Sequence, residues 1–157
     1  MPLAIVTGGG TGTFDLDPDD GIFTELQVGS YVFMDVQYRD ALADGTNELP
    51  FETSLLVQTA VVSTNAPRWV TTDAGLKCFA EGPQPVVVSG ADPASVYQYS
   101  GDEHGMLIYT GPKPRLGDRI EVVTPHCDPT VNLHDIYHVM NGDTLVALWP
   151  VAARGRR

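Results

Sequence analysis

Short apolar segments of four to ten residues recur along the chain, and clusters of Gly, Pro, Asn and Asp separate them. The segments are rich in Val, Ile, Thr, Tyr and Phe, which favour strands, and the clusters between them favour turns. The pattern therefore predicts a mainly β protein. The predicted strands are residues 3–7, 31–35, 54–63, 68–72, 86–89, 95–100, 105–109, 119–123 and 144–150.

Helical periodicity is weak throughout the chain. No window of helical length repeats its apolar positions every 3.6 residues, although residues 74–79 and 136–140 could each form about one turn of helix. Residues 40–50, DALADGTNELP, are polar and turn-rich, which is typical of a connector. Turns then recur at close and even spacing, which predicts a small β barrel or sandwich. We therefore divide the chain into residues 1–40 and residues 41–157.

The chain is acidic, with 20 Asp and Glu residues against 9 Lys and Arg residues and a formal net charge of −11. Such a charge repels phosphate backbones and anionic lipid headgroups, so we expect no nucleic-acid partner and no membrane partner. Cys78 and Cys127 are too few for a disulfide framework. No segment reads as a signal peptide or a membrane span. We therefore expect a cytoplasmic location.

A glycine-rich stretch, GGGTGT, follows the first predicted strand. Glycine is used where a backbone turns sharply or approaches a ligand closely, and successive bare N–H groups can form an anion-binding nest. The spacing matches neither the Walker loop nor the dinucleotide fingerprint. From these residues alone, a phosphate site and a glycine turn without a ligand both remain open.

The segment VVTPHCDPTVNLHDIYH concentrates metal-binding residue types. If the strand before it continues to Asp128, then His126 and Asp128 share one face and Cys127 points away. An imidazole nitrogen and a carboxylate oxygen can hold Mn²⁺, Mg²⁺ or Zn²⁺, and two protein ligands leave positions open for catalysis. The alternative is an extended loop between two prolines, in which Asp128 accepts turn hydrogen bonds and His126 packs.

Six motifs carry a resemblance to a known family. They are GGGTGT (residues 8–13), TELQVGSYVFMD (24–35), TTDAGLK (71–77), DEHG (102–105), GDRIEVVTPHCDPTVNL (117–133) and NGD (141–143). In this order they resemble the C-terminal portion of the D-threonine aldolase and D-serine dehydratase-like enzymes. These are pyridoxal-phosphate enzymes of fold type III, related to alanine racemase. The His-Cys-Asp triplet is similar to that of the D-threonine aldolase branch.

The resemblance implies a fold and two binding sites. Residues 1–40 would be the last strand or strands of a TIM-type barrel that binds the cofactor, and residues 41–157 a D-serine dehydratase-like β domain carrying the metal site. Barrel phosphate sites commonly lie after strands seven and eight. The implied ligands of the pyridoxal phosphate group are Gly8, Gly9, Gly10, Thr11, Gly12 and Thr13, and the implied metal ligands are His126 and Asp128.

The second metal ligand distinguishes the two branches of the family. The resemblance implies a cysteine at this position in the dehydratase branch, which favours zinc. This chain has Asp128 there, so Mn²⁺ is expected, with Zn²⁺ or Mg²⁺ as alternatives.

One feature of the family has no counterpart in this sequence. The lysine that forms the Schiff base lies early in the family's barrel, and the lysines here are Lys77 and Lys113. Lys77 belongs to the β domain, where an ion pair or a solvated side chain is expected. We therefore assign no catalytic residue, and we expect the chain to need a pyridoxal-phosphate-binding barrel, either missing or separately encoded. A lone fragment would expose its barrel-facing residues. These are Ile5, Val6, Tyr31, Val32 and Phe33.

For the intact enzyme, the resemblance implies a homodimer that cleaves a D-β-hydroxy-α-amino acid such as D-threonine to glycine and an aldehyde. Pyridoxal 5′-phosphate would act as the electron sink, and the metal would polarise the β-hydroxyl group. The first alternative is a dehydratase for D-serine or D-threo-hydroxyaspartate, which releases ammonia and a 2-oxo acid. The second is a β-domain fragment that binds metal without catalysis.

Overall fold

A computed structural model describes residues 4–42 and 51–155 of the chain. Within those residues the chain forms ten strands and two short helices. The strands are β1 (Thr7–Gly8), β2 (Glu25–Leu26), β3 (Leu56–Ser63), β4 (Val70–Thr72), β5 (Val86–Ser89), β6 (Val96–Tyr99), β7 (Gly105–Ile108), β8 (Arg119–Val123), β9 (Ile136–Asn141) and β10 (Thr144–Pro150). The helices are α1 (Val36–Leu42) and α2 (Cys127–Val131).

Six of the strands close into a barrel with the order β3-β4-β7-β6-β5-β8. All neighbouring pairs are antiparallel. The barrel is closed by β3 and β8, whose register runs from Leu56 opposite Val123 to Ala60 opposite Arg119. Closure leaves no unpaired strand edge in the barrel. The predictions of a mainly β protein and of a small barrel are both confirmed.

The barrel core follows from the alternation of side chains along its strands. Val70 and Leu107 are fully buried and lie opposite each other on β4 and β7. Ile120 and Val122 alternate with more exposed residues on β8. The buried Tyr97 donates its hydroxyl hydrogen to the Ala74 carbonyl oxygen at 2.7 Å, so its polar end is satisfied within the core.

Two small sheets lie outside the barrel. Strands β1 and β2 form a parallel pair next to the glycine-rich stretch. Strands β9 and β10 form an antiparallel hairpin, and Gly142 in its turn has a φ of +55° that favours glycine. The hairpin presents a large apolar surface to solvent. Its exposed apolar residues include Met140, Leu145, Val146, Leu148 and Trp149.

Seven of the predicted strands overlap β3 to β8 and β10. The predicted turn of helix at residues 74–79 is found as a 3-10 turn at Leu76–Cys78. Residues 136–140 were predicted as a possible turn of helix, and that prediction is wrong because they form β9 in the hairpin with β10. Here strand pairing outweighs the weak local preference.

The N-terminal predictions need correction. Residues 31–35 are not a strand, since they run from a 3-10 turn at Ser30–Val32 into α1. The predicted strand at residues 3–7 overlaps β1 only at Thr7, and its first residue lies outside the described residues. The predicted connector at residues 40–50 begins in α1 and lies outside the described residues from position 43 onward.

Across residues 4–42 and 51–155, none of the helices has the length and apolar character that crossing a bilayer requires.

Candidate metal centre and glycine loop

The candidate metal centre lies where the start of α1 contacts the connection between β8 and α2. The backbone N–H of Val36 donates to the Thr124 carbonyl oxygen at 3.1 Å, and that of Gln37 donates to the Pro125 carbonyl oxygen at 3.1 Å. The two segments are about ninety residues apart in sequence. Backbone hydrogen bonds therefore join the two segments directly before His126.

Asp35, which immediately precedes α1, is fully buried and accepts several hydrogen bonds. Its Oδ1 accepts from the Tyr38 backbone N–H at 2.8 Å, which caps the helix. Its Oδ2 accepts from the Cys127 backbone N–H at 2.7 Å and lies 2.9 Å from Nδ1 of His126. The polar atoms of this buried carboxylate are thus satisfied, and they join α1 to α2.

His126 and Asp128 converge, as predicted, although not for the predicted reason. The strand ends at Val123, and His126 is the residue before α2 while Asp128 lies in its first turn. Nε2 of His126 and Oδ2 of Asp128 are 3.8 Å apart. Two metal bonds of about 2.0–2.2 Å can span donors at that separation. The strand does not continue to Asp128, which was the condition for placing the two on one face, because α2 turns the chain there instead.

The two convergent side chains differ from Asp35 in their access to solvent. The His126 side chain is 25% exposed and the Asp128 side chain is 58% exposed, whereas Asp35 is fully buried. A cation and a substrate could therefore reach Nε2 of His126 and the Asp128 carboxylate from solvent. Asp35 lies behind them on the protein side.

Ser30 holds Asp128 in place. Its hydroxyl donates to Oδ2 of Asp128 at 2.7 Å, across 98 positions in the sequence. The next residue, Tyr31, donates its backbone N–H to Oγ1 of Thr11 at 3.1 Å. One 3-10 turn therefore contacts both the candidate metal ligand and the glycine-rich stretch.

Asp35, His126 and Cys127 form a second possible ligand set, since one ligand atom from each lies within 4.8 Å of the others. Two observations argue against it. Both oxygens of Asp35 already accept hydrogen bonds. Burial, followed by the effect of Asp35, raises the pKa of the Cys127 thiol to about 12, and its fully buried side chain gives a cation no access from solvent. The pair His126 and Asp128 suits a hard or borderline cation better.

The main chain of His126 is held by buried threonines. Thr130 donates its hydroxyl hydrogen to the His126 carbonyl oxygen at 2.6 Å and lies 2.6 Å from the hydroxyl of Thr124. The Ala80 backbone N–H donates to Oγ1 of Thr130 at 3.0 Å, which ties this group to the barrel. A hydrogen-bonded group that includes residues before and after His126 therefore fixes the position of its main chain.

Met34 is strained at the same place. It is fully buried and has a φ of +53°, and no other non-glycine residue in the described part of the chain has a positive φ. Such a backbone conformation costs on the order of 1–3 kcal/mol and persists where its surroundings enforce it. The strained residue lies directly before Asp35, so the chain gives up stability where the carboxylate must be placed.

Two glycines of the glycine-rich stretch differ in the space around them. Gly9 has a φ of +72°, and a Cβ there would collide with the Asp17 carboxylate. In the described part of the chain, no atom beyond its neighbours lies within 4 Å of where a Cβ would be at Gly10. The Gly10 backbone is therefore open to a ligand, whereas Gly9 is needed for the turn itself.

The two threonines of this stretch already have partners. Thr11 is buried and accepts the Tyr31 bond, which leaves its own hydroxyl hydrogen available. Thr13 donates to Oδ2 of Asp17 at 2.6 Å. A phosphate at this loop would compete with the Asp17 carboxylate for Thr13, so backbone N–H groups and Thr11 are the better donors.

The remaining predictions concern Lys77 and the apolar residues at the start of the chain. Lys77 forms an exposed ion pair with Glu103. An ion pair was one of the two structural roles expected for this lysine. Ile5, Tyr31 and Val32 are exposed, with Ile5 at 69%. The remaining two residues of that predicted surface are partly buried. They are Val6 and Phe33.

Sequence reasoning assigned no role in the site to Asp35 or Ser30. The available signal was local: an aspartate directly before VQYRDAL is a good helix N-cap. That signal was hidden because residues 31–35 read as a strand. Nothing in the sequence links either residue to position 126 or 128.

Comparisons with known proteins relate the chain to one family. A family model described as "Putative serine dehydratase domain" matches residues 54–140. The chain is 41% identical over 152 residues to D-threonine aldolase from Arthrobacter sp, a match covering 96% of this chain and 39% of that protein. It is 36% identical over 154 residues to 3-hydroxy-D-aspartate aldolase from Paracoccus denitrificans, covering 96% and 40%.

A solved structure shows the same arrangement of elements. The crystal structure of D-threonine aldolase from Filomicrobium marinum matches with a TM-score of 0.88 and 36% identity, over 99% of this chain and 43% of that one. The chain thus spans about two fifths of the length of the relatives it matches.

Proposed function

Because the chain belongs to the serine dehydratase domain family, we propose that it is the C-terminal part of a lyase that cleaves D-β-hydroxy-α-amino acids such as D-threonine to glycine and an aldehyde. The observation that carries the proposal is the convergence of Nε2 of His126 and Oδ2 of Asp128 at 3.8 Å on an exposed side of the molecule. The identities of 41% and 36% to two aldolases support the same reaction class.

His126 and Asp128 would hold a divalent cation, with Mn²⁺ preferred. One imidazole and one carboxylate are a donor set for Mn²⁺, Mg²⁺ or Zn²⁺, and neither of these two donors is the thiolate that favours zinc. When bound, the cation would polarise and orient a substrate hydroxyl group. The contribution of this chain is to hold the two donors 3.8 Å apart and open to solvent.

Pyridoxal 5′-phosphate is the proposed organic cofactor, and its phosphate would lie at residues 8–13. The open backbone at Gly10 and the hydroxyl hydrogen of Thr11, which has no acceptor among the described residues, fit that role. When bound, the cofactor would act as an electron sink at the substrate Cα. Gly8, Gly9, Gly12 and Thr13 would shape the loop around these donors, and Gly9 does so through its positive φ.

We propose a pyridoxal-phosphate-binding barrel as the partner of this chain and a homodimer as the intact enzyme. Exposed apolar surface on a protein marks contact sites, and here it is found both near the glycine loop and on the hairpin. Ile5 and Val32 are exposed by 69% and 51%, and Trp149 on β10 is exposed by 59%. The lysine that forms the Schiff base would come from the barrel.

A chimaera tests the proposal. This chain replaces the matching C-terminal region of the Arthrobacter D-threonine aldolase, and the purified protein is incubated with D-threonine, pyridoxal 5′-phosphate and Mn²⁺. We expect glycine and acetaldehyde, loss of activity with a chelator, and recovery on adding Mn²⁺. Ammonia with 2-oxobutanoate would instead show a dehydratase, the reaction named in the family description.

The control is the same chimaera with the His104→Ala change, which alters an exposed histidine directly before β7. Its activity should equal that of the parent chimaera. Activity that survives both chelation and His126→Ala would contradict a role for the metal.

A further inference from the structure

We propose that Asp35 is a positioning residue that holds His126 in the tautomer whose Nε2 is free to bind a cation. The inference rests on the proposed function, because it concerns the same metal centre. It assigns a role to a buried carboxylate that does not itself face the solvent side of the site.

The hydrogen bonds around Asp35 determine which nitrogen of His126 carries the proton. A carboxylate only accepts hydrogen bonds. Oδ2 of Asp35 accepts from the Cys127 N–H at 2.7 Å and lies 2.9 Å from Nδ1 of His126. Nδ1 must therefore be the donor, which leaves the lone pair of the neutral imidazole on Nε2.

The ring then presents Nε2 to the second ligand. Nε2 lies 3.8 Å from Oδ2 of Asp128, whose side chain is 58% exposed. Metal-binding histidines generally donate their other N–H to a carboxylate or carbonyl group, and this donation sets the tautomer and the orientation of the ring. Asp35 takes the place of that carboxylate here, and Nε2 of His126 is left to bind a cation together with Asp128.

Asp35 has little freedom to turn away. Its Oδ1 is held by the Tyr38 N–H at 2.8 Å, so rotation of the carboxylate would uncap α1. The strained backbone of Met34 on the other side, with φ of +53°, also defines where Asp35 lies. Two independent restraints thus keep the acceptor in front of Nδ1.

The first test reads the wild type and uses a variant only to assign its signals. Long-range ¹H–¹⁵N NMR of the metal-free 157-residue chain reports which nitrogen of each neutral histidine is protonated, and the His126 signals are those missing from His126→Ala. We expect His126 to carry its proton on Nδ1. A chain in which His126 is mainly protonated on Nε2 would overturn the inference.

The second test measures Mn²⁺ affinity by titration calorimetry for the wild type and Asp35→Asn. The carboxamide matches the size of the carboxylate but replaces one acceptor by a donor. If its oxygen stays with the Tyr38 N–H, its NH₂ group faces both the Cys127 N–H and Nδ1 of His126. The hydrogen bond from Cys127 is then lost, and the proton of His126 is favoured on Nε2, where it blocks the cation. We expect affinity to fall by about 10–100-fold, with a matching shift of the His126 NMR signals toward the other tautomer.

A matched control is Asp73→Asn. Asp73 also accepts a side-chain and a backbone hydrogen bond, from Thr59 at 2.6 Å and from Ala60 at 2.8 Å, but its partners lie on β3. The affinity of the Asp73→Asn variant for Mn²⁺ should equal that of the wild type. Thermal unfolding of each variant shows how much of the protein is folded, so affinities are compared for folded chain.

The outcomes separate the inference from the proposed function. If the wild type binds Mn²⁺ and the folded Asp35→Asn variant binds it with the same affinity, the positioning role is overturned. The proposal of a metal centre then still holds. A folded wild-type chain that binds no Mn²⁺ would overturn the metal centre and the inference together. If Asp35→Asn fails to fold, the NMR result on the wild type decides.

Discussion

The barrel interior and the buried part of the metal corner are built from opposite kinds of residue. In the barrel the buried side chains are mainly Val, Ile and Leu, and they pack between neighbouring strands. We use metal corner for Ser30, Asp35, Thr124, His126, Asp128 and Thr130. Its buried members are polar, and each has a hydrogen-bond partner.

The contrast separates stability from positioning. Apolar burial is non-directional, so the barrel tolerates substitutions that preserve its volume. A buried polar group costs free energy unless its partners lie at the right distance and angle. The metal corner therefore contributes less to stability for each buried residue, but it restricts the position of every atom in it.

The largest expected effect is on Mn²⁺ affinity, which a substitution in the metal corner should lower and a substitution in the barrel should not. His126→Ala removes a proposed ligand, and Mn²⁺ affinity should fall by more than about 100-fold, since loss of a ligand exceeds the effect of losing its hydrogen-bond partner. Calorimetry measures the affinity and urea unfolding checks the fold. His138→Ala, which removes an exposed histidine from β9, should bind Mn²⁺ like the wild type. Equal losses in both variants would mean that the effect is not specific to the metal corner.

A cavity in the barrel should show the reverse pattern. Leu107 is fully buried, and Leu107→Ala should lower the free energy of unfolding by about 2–5 kcal/mol. Urea denaturation gives that value. The folded fraction should keep the wild-type affinity for Mn²⁺. Leu116→Ala is the matched control, because Leu116 is 68% exposed and its loss should change stability by less than about 0.5 kcal/mol. A large drop in metal affinity in Leu107→Ala would show that the two regions are coupled.

The smallest expected effect concerns Asp73 and pH. Burial acts to raise its pKa, but the hydrogen bonds from Thr59 and from the Ala60 backbone outweigh it and lower the pKa below 3.8. A carboxyl group whose pKa is lower in the folded chain stabilises the fold above its ordinary pKa, and this contribution is lost as pH falls through the folded value. Because Asp73 is exposed, the contribution should be under about 1 kcal/mol.

Urea unfolding of Asp73→Asn and the wild type between neutral and strongly acid pH measures this difference. The variant should be slightly less stable at neutral pH, and the gap should close as the pH falls below the usual range of aspartate. A gap that widens in acid would contradict the direction of the pKa shift.

Much of the fold was predictable because the barrel depends on local alternation. Residues 86–89, 119–123 and 144–150 were predicted with the bounds that β5, β8 and β10 have. The errors fall where a distant partner decides the conformation. Residues 31–35 have the composition of a strand, but Asp35 caps α1 and bonds to residues about ninety positions away. Local propensity carries no information about such contacts.

By itself the sequence determined the strand periodicity, the acidic charge, the glycine-rich stretch and the donor types His126 and Asp128. These features depend on residue type and spacing, which the sequence gives directly. Only the tertiary structure decided which nitrogen of His126 faces Asp128, since that choice is made by Asp35 from 91 positions away. Hydrogen bonds are directional and short in range, so partners become identifiable only when folding has brought them within about 3 Å.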